Sequence, residues 1–267
     1  MKAMIFAAGL GTRLKPFTDN APKALAPLAG KTLLYHVITR LRAAGVDEFV
    51  VNVHHFPDMI VSYLENEFNG LDIKVSDERD RLLETGGGIR RAEALLSGAG
   101  PFIVHNVDIV TDLDLQWFES RLRPGAMSAL LVSERKTRRY LLFNDSGRLV
   151  GWTDVSTGAV KTPFRNLDVA SCRKMAFGGV HLMSPDIFRT FDRIDSDPSA
   201  FPLYDGEGRL IEGSDRPLGE RFPIMDYYLR AAAEYEFIGV APRSLVLIDA
   251  GKPESLAEAE NFVNGRV

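Results

Sequence analysis

Through about the first 115 residues, apolar runs of strand length alternate with stretches of helical period, and few folds accommodate that order. AMIFAA and EFVVNV are almost continuously apolar, as strands covered on both faces are. Between them TLLYHVITRLRAAG places Leu33, Leu34, Val37 and Leu41 at helical spacing, with Gly45 as the stop. DMIVSYLENEF and GGIRRAEALLSGAG read as further helices, LDIKVS and PFIVHNVD as further strands. This alternation predicts a Rossmann-like α/β fold, a mixed but mostly parallel sheet with helices on both faces. The second half is less regular. MSALLVSE, KMAFGGVHLMS, EFIGVAP and LVLIDAG have strand character, and YLLFND and GRLVGW are joined through Asp145-Ser146-Gly147 as a hairpin. SPDIFRTF, PIMDYYLRAAAEY and PESLAEAENFVNG, the last opened by Pro253, have helical character. No period of repeat length is present. The expectation is one domain over residues 1–267, its halves meeting near residue 115.

The first strand runs straight into GLGTRLKP, where Gly9 and Gly11 allow close backbone approach and Arg13 and Lys15 supply cations. That combination calls for an anionic ligand, a nucleotide phosphate above all. A dinucleotide fingerprint fails, because its third glycine would be Leu14 and no acidic residue follows at the required distance. A Walker A loop ending at Gly30-Lys31-Thr32 fails as well, because its first glycine would be Leu25. With 32 basic and 36 acidic residues the net charge is −4, so no global basic field gathers nucleic acid and the cations must act locally. The N-terminal apolar run breaks at glycine, which argues for a strand over a signal peptide or membrane span. A single cysteine, Cys172, excludes an internal disulfide and suits a reducing compartment. The expectation is therefore a soluble cytoplasmic protein with no membrane partner; its oligomeric state is left open.

Ala7, Ala8, Gly9, Gly11, Thr12 and Arg13, followed by Pro22 and Lys23, resemble the signature of the sugar-1-phosphate nucleotidylyltransferase family. LETGGGIRR resembles that family's second nucleotide-contacting loop, HNVDIVTDLD its asparagine-glycine-aspartate segment, and LIDAGKPESLAEAE its terminal aspartate segment. The short length and the LETGGGI loop are most similar to the subgroup that uridylylates N-acetylmuramate 1-phosphate. The resemblance implies a nucleotide-diphospho-sugar transferase fold, with a nucleotide-binding half to about residue 115 and a sugar-binding half beyond it. It implies NTP and a sugar 1-phosphate as substrates and an NDP-sugar and pyrophosphate as products.

Such chemistry needs no general base, because the attacking phosphate is already an anion at neutral pH. The obstacle is repulsion between two anions, which positioning and charge neutralisation overcome. Loop amides around Gly9 to Thr12 would cradle the triphosphate, and Arg13 would hold its outer oxygens with a planar fork. Lys23 is a point charge suited to the α-phosphate and the incoming sugar phosphate, while Lys15 reads as a surface lysine. Asp108 and Asp249 each follow a buried apolar run and so sit at strand ends, where they serve as caps or as ligands. In family positions they imply a Mg²⁺ site completed by phosphate oxygens. Asp112 and Asp114 read as turn or cap residues, and Asn106 matches a substrate-contacting position.

Glu84, Thr85 and Gly86 are the candidates for reading the base, with Asn52 a further one that could equally cap a turn. Phe177 and Gly179 match a sugar-contacting stretch. Arg139 stands where relatives carry a glycine-aspartate pair, and its charge suits a carboxylate on the sugar. His54, His55 and Trp152 have no motif around them. Val107 replaces the family's glycine beside the metal aspartate, which marks either a subgroup or an idle sugar-nucleotide sensor. Guanylyl or cytidylyl transfer to mannose or heptose 1-phosphate or to a phosphorylated alcohol is the alternative within the class.

Overall fold

The structure, a computed structural model, describes residues 1–265. The chain divides into two compact units. The first holds Met1–Leu82, Ala94–Trp117 and the segment from Arg243 onward; the second holds Leu83–Glu93 and Phe118–Pro242.

The first unit is built on four parallel strands in the order Phe102–Asn106, Lys2–Phe6, Glu48–Val53, Asp72–Asp77. Ala3, Met4 and Ile5 in the second of these strands are fully buried, which is why AMIFAA is apolar without alternation. The helix Leu33–Ala43 links two of these strands and buries Leu33, Leu34, Val37, Ile38 and Leu41. It is capped by Thr32, whose hydroxyl accepts from the Tyr35 amide at 3.0 Å. The helix Pro57–Glu67 begins with proline at its first turn, where a missing amide hydrogen costs nothing. Parallel strands end at the same edge, so Phe6, Asn52 and Asn106 lie side by side in the register. Every loop leaving that edge therefore starts close to the others. A two-strand antiparallel ribbon, Ile109–Thr111 with Leu247–Asp249, also belongs to this unit.

The second unit is a mostly antiparallel sheet in the order Ala159–Lys161, Leu149–Asp154, Arg139–Phe143, Arg173–Met183, Ser128–Ser133, Phe237–Val240, with only the last pair parallel. The hairpin turns at Gly147, whose φ is +78°. The helices Ile187–Ser196 and Ile224–Ala231 contribute Phe191, Tyr227 and Tyr228 to an aromatic core that includes Phe237. The strand and helix content of the two units matches the α/β class read from the sequence, with the parallel strands confined to the first unit but for one pair.

One local expectation is corrected. The sequence reads LETGGG as loop and starts the helix at Gly87, yet the helix runs Glu84–Arg91, followed by a separate short one, Glu93–Leu96. The glycines are tolerated there because they dock against backbone: the Gly86 and Gly87 amides both donate to the Phe222 carbonyl, at 2.9 and 3.1 Å. A Cβ on Gly86 would overlap the Phe222 ring, and one on Gly87 the Glu220 carbonyl oxygen. Among the described residues no helix is long and apolar enough to cross a membrane.

Candidate active site

In the first unit the strand Lys2–Phe6 ends in two buried alanines and then an exposed loop. Gly11 sits at φ +64°, and a Cβ there would lie 2.7 Å from Thr18 Cγ2 and 2.8 Å from Lys23 Cβ. Conformation and space thus both demand glycine. Thr12–Leu14 form a single tight turn closed by the Leu14 amide on the Gly11 carbonyl at 2.8 Å, and Leu14 is buried beneath it. This anchors the turn and leaves Arg13 half exposed on the outside.

Arg13 is drawn to two carboxylates. Its Nη1 donates to Asp249 Oδ2 at 3.0 Å, and its Nη2 lies 3.6 Å from Asp108 Oδ2. Lys23 donates to Asp108 Oδ2 at 2.5 Å. The two aspartates are 141 positions apart in the numbering and meet because the ribbon pairs Asp249 with Ile109 directly. The Ala250 amide donates to the Asp108 carbonyl at 2.8 Å and locks that approach. Gly251 completes the arrangement. A Cβ at this position would overlap Asp108 Oδ2, and would lie 2.9 Å from Asp249 Oδ1 and 3.0 Å from Arg13 Nη2. Burial pushes the Asp249 carboxyl up, but the Arg13 hydrogen bond and charge, helped by the Gly251 amide, outweigh it and hold it below its ordinary value. Both carboxylates therefore reach one small space, with two cations beside them.

That space suits a hard divalent cation. Asp108 Oδ2 and Asp249 Oδ1 both lie within 2.9 Å of one point beside Gly251. Oxygen donors of this kind are what Mg²⁺ takes, with substrate phosphates and water supplying the rest. Among the described residues no cluster of three or more metal-ligating side chains exists, so a purely protein-bound metal is not what this pair is built for.

The remaining first-unit residues separate clearly. Asn106 lies beside Phe6 at the end of its strand. Val107 is buried, and Asp108 still reaches Lys23, so the extra bulk does not pull the carboxylate away. Lys15 pairs with Asp19 at the surface. Asp112 accepts from the Val246 amide and Asp114 from the Trp117 amide, which are turn and cap roles. Asn52 is 2% exposed and turned inward: its Oδ1 accepts from the Ala7 amide at 2.8 Å and the Ala8 amide at 3.4 Å. It braces the loop.

In the second unit Glu84 holds φ +63° at the start of its helix and pairs with Arg221 at 3.1 Å. The Thr85 hydroxyl accepts from the Ile224 amide at 2.9 Å. With the Gly86 amide on Phe222, all three candidate base-reading residues are docked on the segment 221–224. That segment leads into one wall of a cavity of about 350 Å³ lined by Arg139, Trp152, Lys161, Phe177 and Asp226 among others. Arg139 and Phe177, the two side chains the sequence offers to the sugar, both line this cavity. Gly179 does not line it; at φ +75° it sits where the register between Arg173–Met183 and Ser128–Ser133 shifts. Trp152, Lys161 and Asp226 are the residues that sequence reasoning missed. Strand register brings the first two together, since Trp152 pairs with both Leu141 and Lys161, and the Lys161 ammonium lies 5.8 Å from the Trp152 ring centre. Asp226 comes from the helix Ile224–Ala231, and burial pushes its carboxyl up while the Lys161 charge opposes the shift.

Residues 3–154 match the MobA-like NTP transferase domain family. The chain is 35% identical to N-acetylmuramate alpha-1-phosphate uridylyltransferase of Caulobacter vibrioides over 97% of its length and 95% of that protein. It is 26% identical to mannose-1-phosphate guanyltransferase of Kluyveromyces lactis over 98% of its length and 70% of that protein. In fold it is similar to HddC from Yersinia pseudotuberculosis, with a TM-score of 0.69 at 21% identity over 98% and 99% of the two chains. It is equally similar to UDP-glucose pyrophosphorylase complexed with UDP-glucose, at 0.69 and 19% identity over 100% and 99%. The glycine loop, its two cations and the paired aspartates thus sit on a shared architecture, and the chain belongs to the MobA-like NTP transferase family, among the sugar-1-phosphate nucleotidylyltransferases.

Proposed function

We propose that the chain transfers a uridylyl group from UTP to N-acetylmuramate 1-phosphate, giving the UDP-sugar and pyrophosphate. The observation that carries this reading is the convergence of Arg13 and Lys23 on Asp108 and Asp249 beside an exposed glycine loop. In the reaction an oxygen of the sugar phosphate forms a bond to the α-phosphorus, and the bond from that phosphorus to the bridging oxygen breaks. The attacking oxygen carries its own charge, so no side chain has to remove a proton. What the chain supplies is placement and positive charge.

Loop amides from Gly9 to Thr12, launched from the anchored Ala7-Ala8 corner, hold the triphosphate. Arg13 neutralises the leaving pyrophosphate, and Lys23 holds the α-phosphate and the incoming phosphate together. Asp108 and Asp249 are the residues that would hold Mg²⁺, which when bound offsets phosphate charge and favours the leaving oxygen. Glu84, Thr85, Gly86 and Asn106 are assigned to the nucleotide, and Phe177 and Arg139 to the sugar. The cavity bearing Arg139 and Lys161 suits an acceptor with a carboxylate, as N-acetylmuramate has, and Trp152 and Phe177 give it apolar walls. The near-full-length relative from Caulobacter vibrioides supports the same pair of substrates.

The test is pyrophosphate release with UTP, dTTP, GTP and CTP crossed against a panel of sugar 1-phosphates. Turnover with UTP and N-acetylmuramate 1-phosphate, falling when Arg139 is changed to methionine, is the expected result. Turnover with GTP and mannose 1-phosphate instead would keep the chemistry and discard these substrates. Nucleotide binding with no release from any pair would make the chain a sensor.

A further inference from the structure

Between the buried Ala8 and the buried Leu14, the phosphate loop has little of its own to hold it in place. Gly9 and Leu10 are exposed, and a Cβ on Gly9 would meet nothing within 4 Å. Its position is therefore set by its two ends. At the first end one oxygen, Asn52 Oδ1, accepts from two successive amides, Ala7 and Ala8. Asn52 could present either its oxygen or its NH₂ group to that corner, and only the oxygen can accept. The choice is made on the far side, where Asn52 Nδ2 donates to Glu78 Oε1 at 2.7 Å. Glu78 is completely buried, and its own backbone is tied to the same strand end through its amide on the Val53 carbonyl and its carbonyl at His54 Nδ1. At the second end the Thr18 hydroxyl donates to the Gly11 carbonyl at 3.0 Å, and the Thr18 carbonyl lies 3.1 Å from His55 Nε2. Asn52 thus braces one end of the loop and His55, through Thr18, the other, while His54 holds Glu78.

We propose that Glu78 is a positioning residue for this loop: by accepting from Asn52 it fixes the orientation in which Asn52 pins the Ala7 and Ala8 amides. That the pinned loop holds a nucleoside triphosphate rests on the proposed function; the pin itself does not. Asn52→Asp keeps an oxygen for the two amides but sets a second carboxylate against Glu78, which drives the pair apart. Adding Glu78→Gln restores a donor and an acceptor in the right places, with the roles exchanged.

The measurement is amide exchange by NMR, with the KM for UTP, the KM for the sugar phosphate and kcat alongside. In Asn52→Asp, exchange at Ala7 and Ala8 and the KM for UTP should rise by roughly tenfold, as the loss of a buried hydrogen bond implies. Amides of the strand Phe102–Asn106 and the KM for the sugar phosphate should not move. The double variant should return all values toward those of the parent, and Glu78→Gln alone should resemble the parent because its oxygen still accepts from Asn52. An insoluble Asn52→Asp that Glu78→Gln makes soluble supports the pairing equally. Unchanged exchange in Asn52→Asp, no recovery in the double variant, or loosening in Glu78→Gln alone would overturn it. Protected Ala7 and Ala8 amides in a protein that binds no nucleoside triphosphate would sink the proposed function and leave the pin standing.

Discussion

Gly251→Ala is the smallest change that reaches the centre of the site. The new methyl group would overlap Asp108 Oδ2 and press on Asp249 Oδ1 at 2.9 Å and Arg13 Nη2 at 3.0 Å. Carbon–oxygen contacts open at about 3.3 Å, so the Asp108 carboxylate must retreat by roughly 1 Å. Gly251 does not have a positive φ, so alanine brings no backbone penalty of its own. The clash falls on side-chain ends, which can rotate, and folding should lose little, within about 1–2 kcal/mol. Placement at the reacting centre has no such tolerance. A displacement of this size costs on the order of a hundredfold in rate, or about 2.7 kcal/mol of transition-state stabilisation. Pyrophosphate release under saturating substrates should therefore fall by about that factor while the melting temperature drops by no more than several degrees. Excess Mg²⁺ should recover part of the loss if the displaced carboxylate binds metal. A variant with parental kcat would show that the two aspartates need not meet beside Gly251, and the reasoning would fail.

Other perturbations separate packing from chemistry. Gly86→Ala should lower stability by about 1–3 kcal/mol through overlap with the Phe222 ring, read by urea unfolding, whereas Gly9→Ala should leave stability unchanged and raise the KM for the triphosphate. Lys23→Ala should raise the KM for the sugar phosphate more than that for the nucleotide; an equal effect on both would remove Lys23 from the junction of the two phosphates. Burial of His105 lowers its imidazole to about 4, so the unfolded chain binds the extra proton between that value and the ordinary 6.5. Stability from this group is complete above about pH 6.5, and roughly 3 kcal/mol of it is lost as pH falls toward 4. His105→Leu should flatten that acid limb of the unfolding free energy; an unchanged limb would assign it to other groups.

Some of this was legible in the chain and some was not, for physical reasons. A strand covered on both faces must be apolar throughout, so AMIFAA, EFVVNV and FIVHNV announced themselves, and Asp108 and Asp249 could be placed at strand ends from what precedes them. That these two aspartates touch the same arginine depends on the pairing of Ile109–Thr111 with Leu247–Asp249, a contact between distant segments that no local pattern encodes. Trp152 carried no motif because its partners are set by strand register, with Lys161 opposite it and Asp226 from a helix elsewhere in the sequence. LETGGG misled for a different reason. Three glycines signal a loop when only the local chain is considered, but close docking on Phe222 and Glu220 makes a helix of them. Asn52 showed the opposite limit: its type allowed base contact or a cap, and only its burial revealed that it holds Ala7 and Ala8.

The most direct test compares pyrophosphate release by the parent protein and by Asp108→Asn, with the best substrate pair from the panel and Mg²⁺ present. The substitution keeps shape and leaves Lys23 a side-chain oxygen partner, but removes a charge from the site where two carboxylates meet. The account predicts release by the parent, a loss of on the order of a hundredfold or more in the variant, and closely similar melting curves. Release by Asp108→Asn at the parental rate would contradict it, because the paired aspartates would then have no part in nucleotidyl transfer.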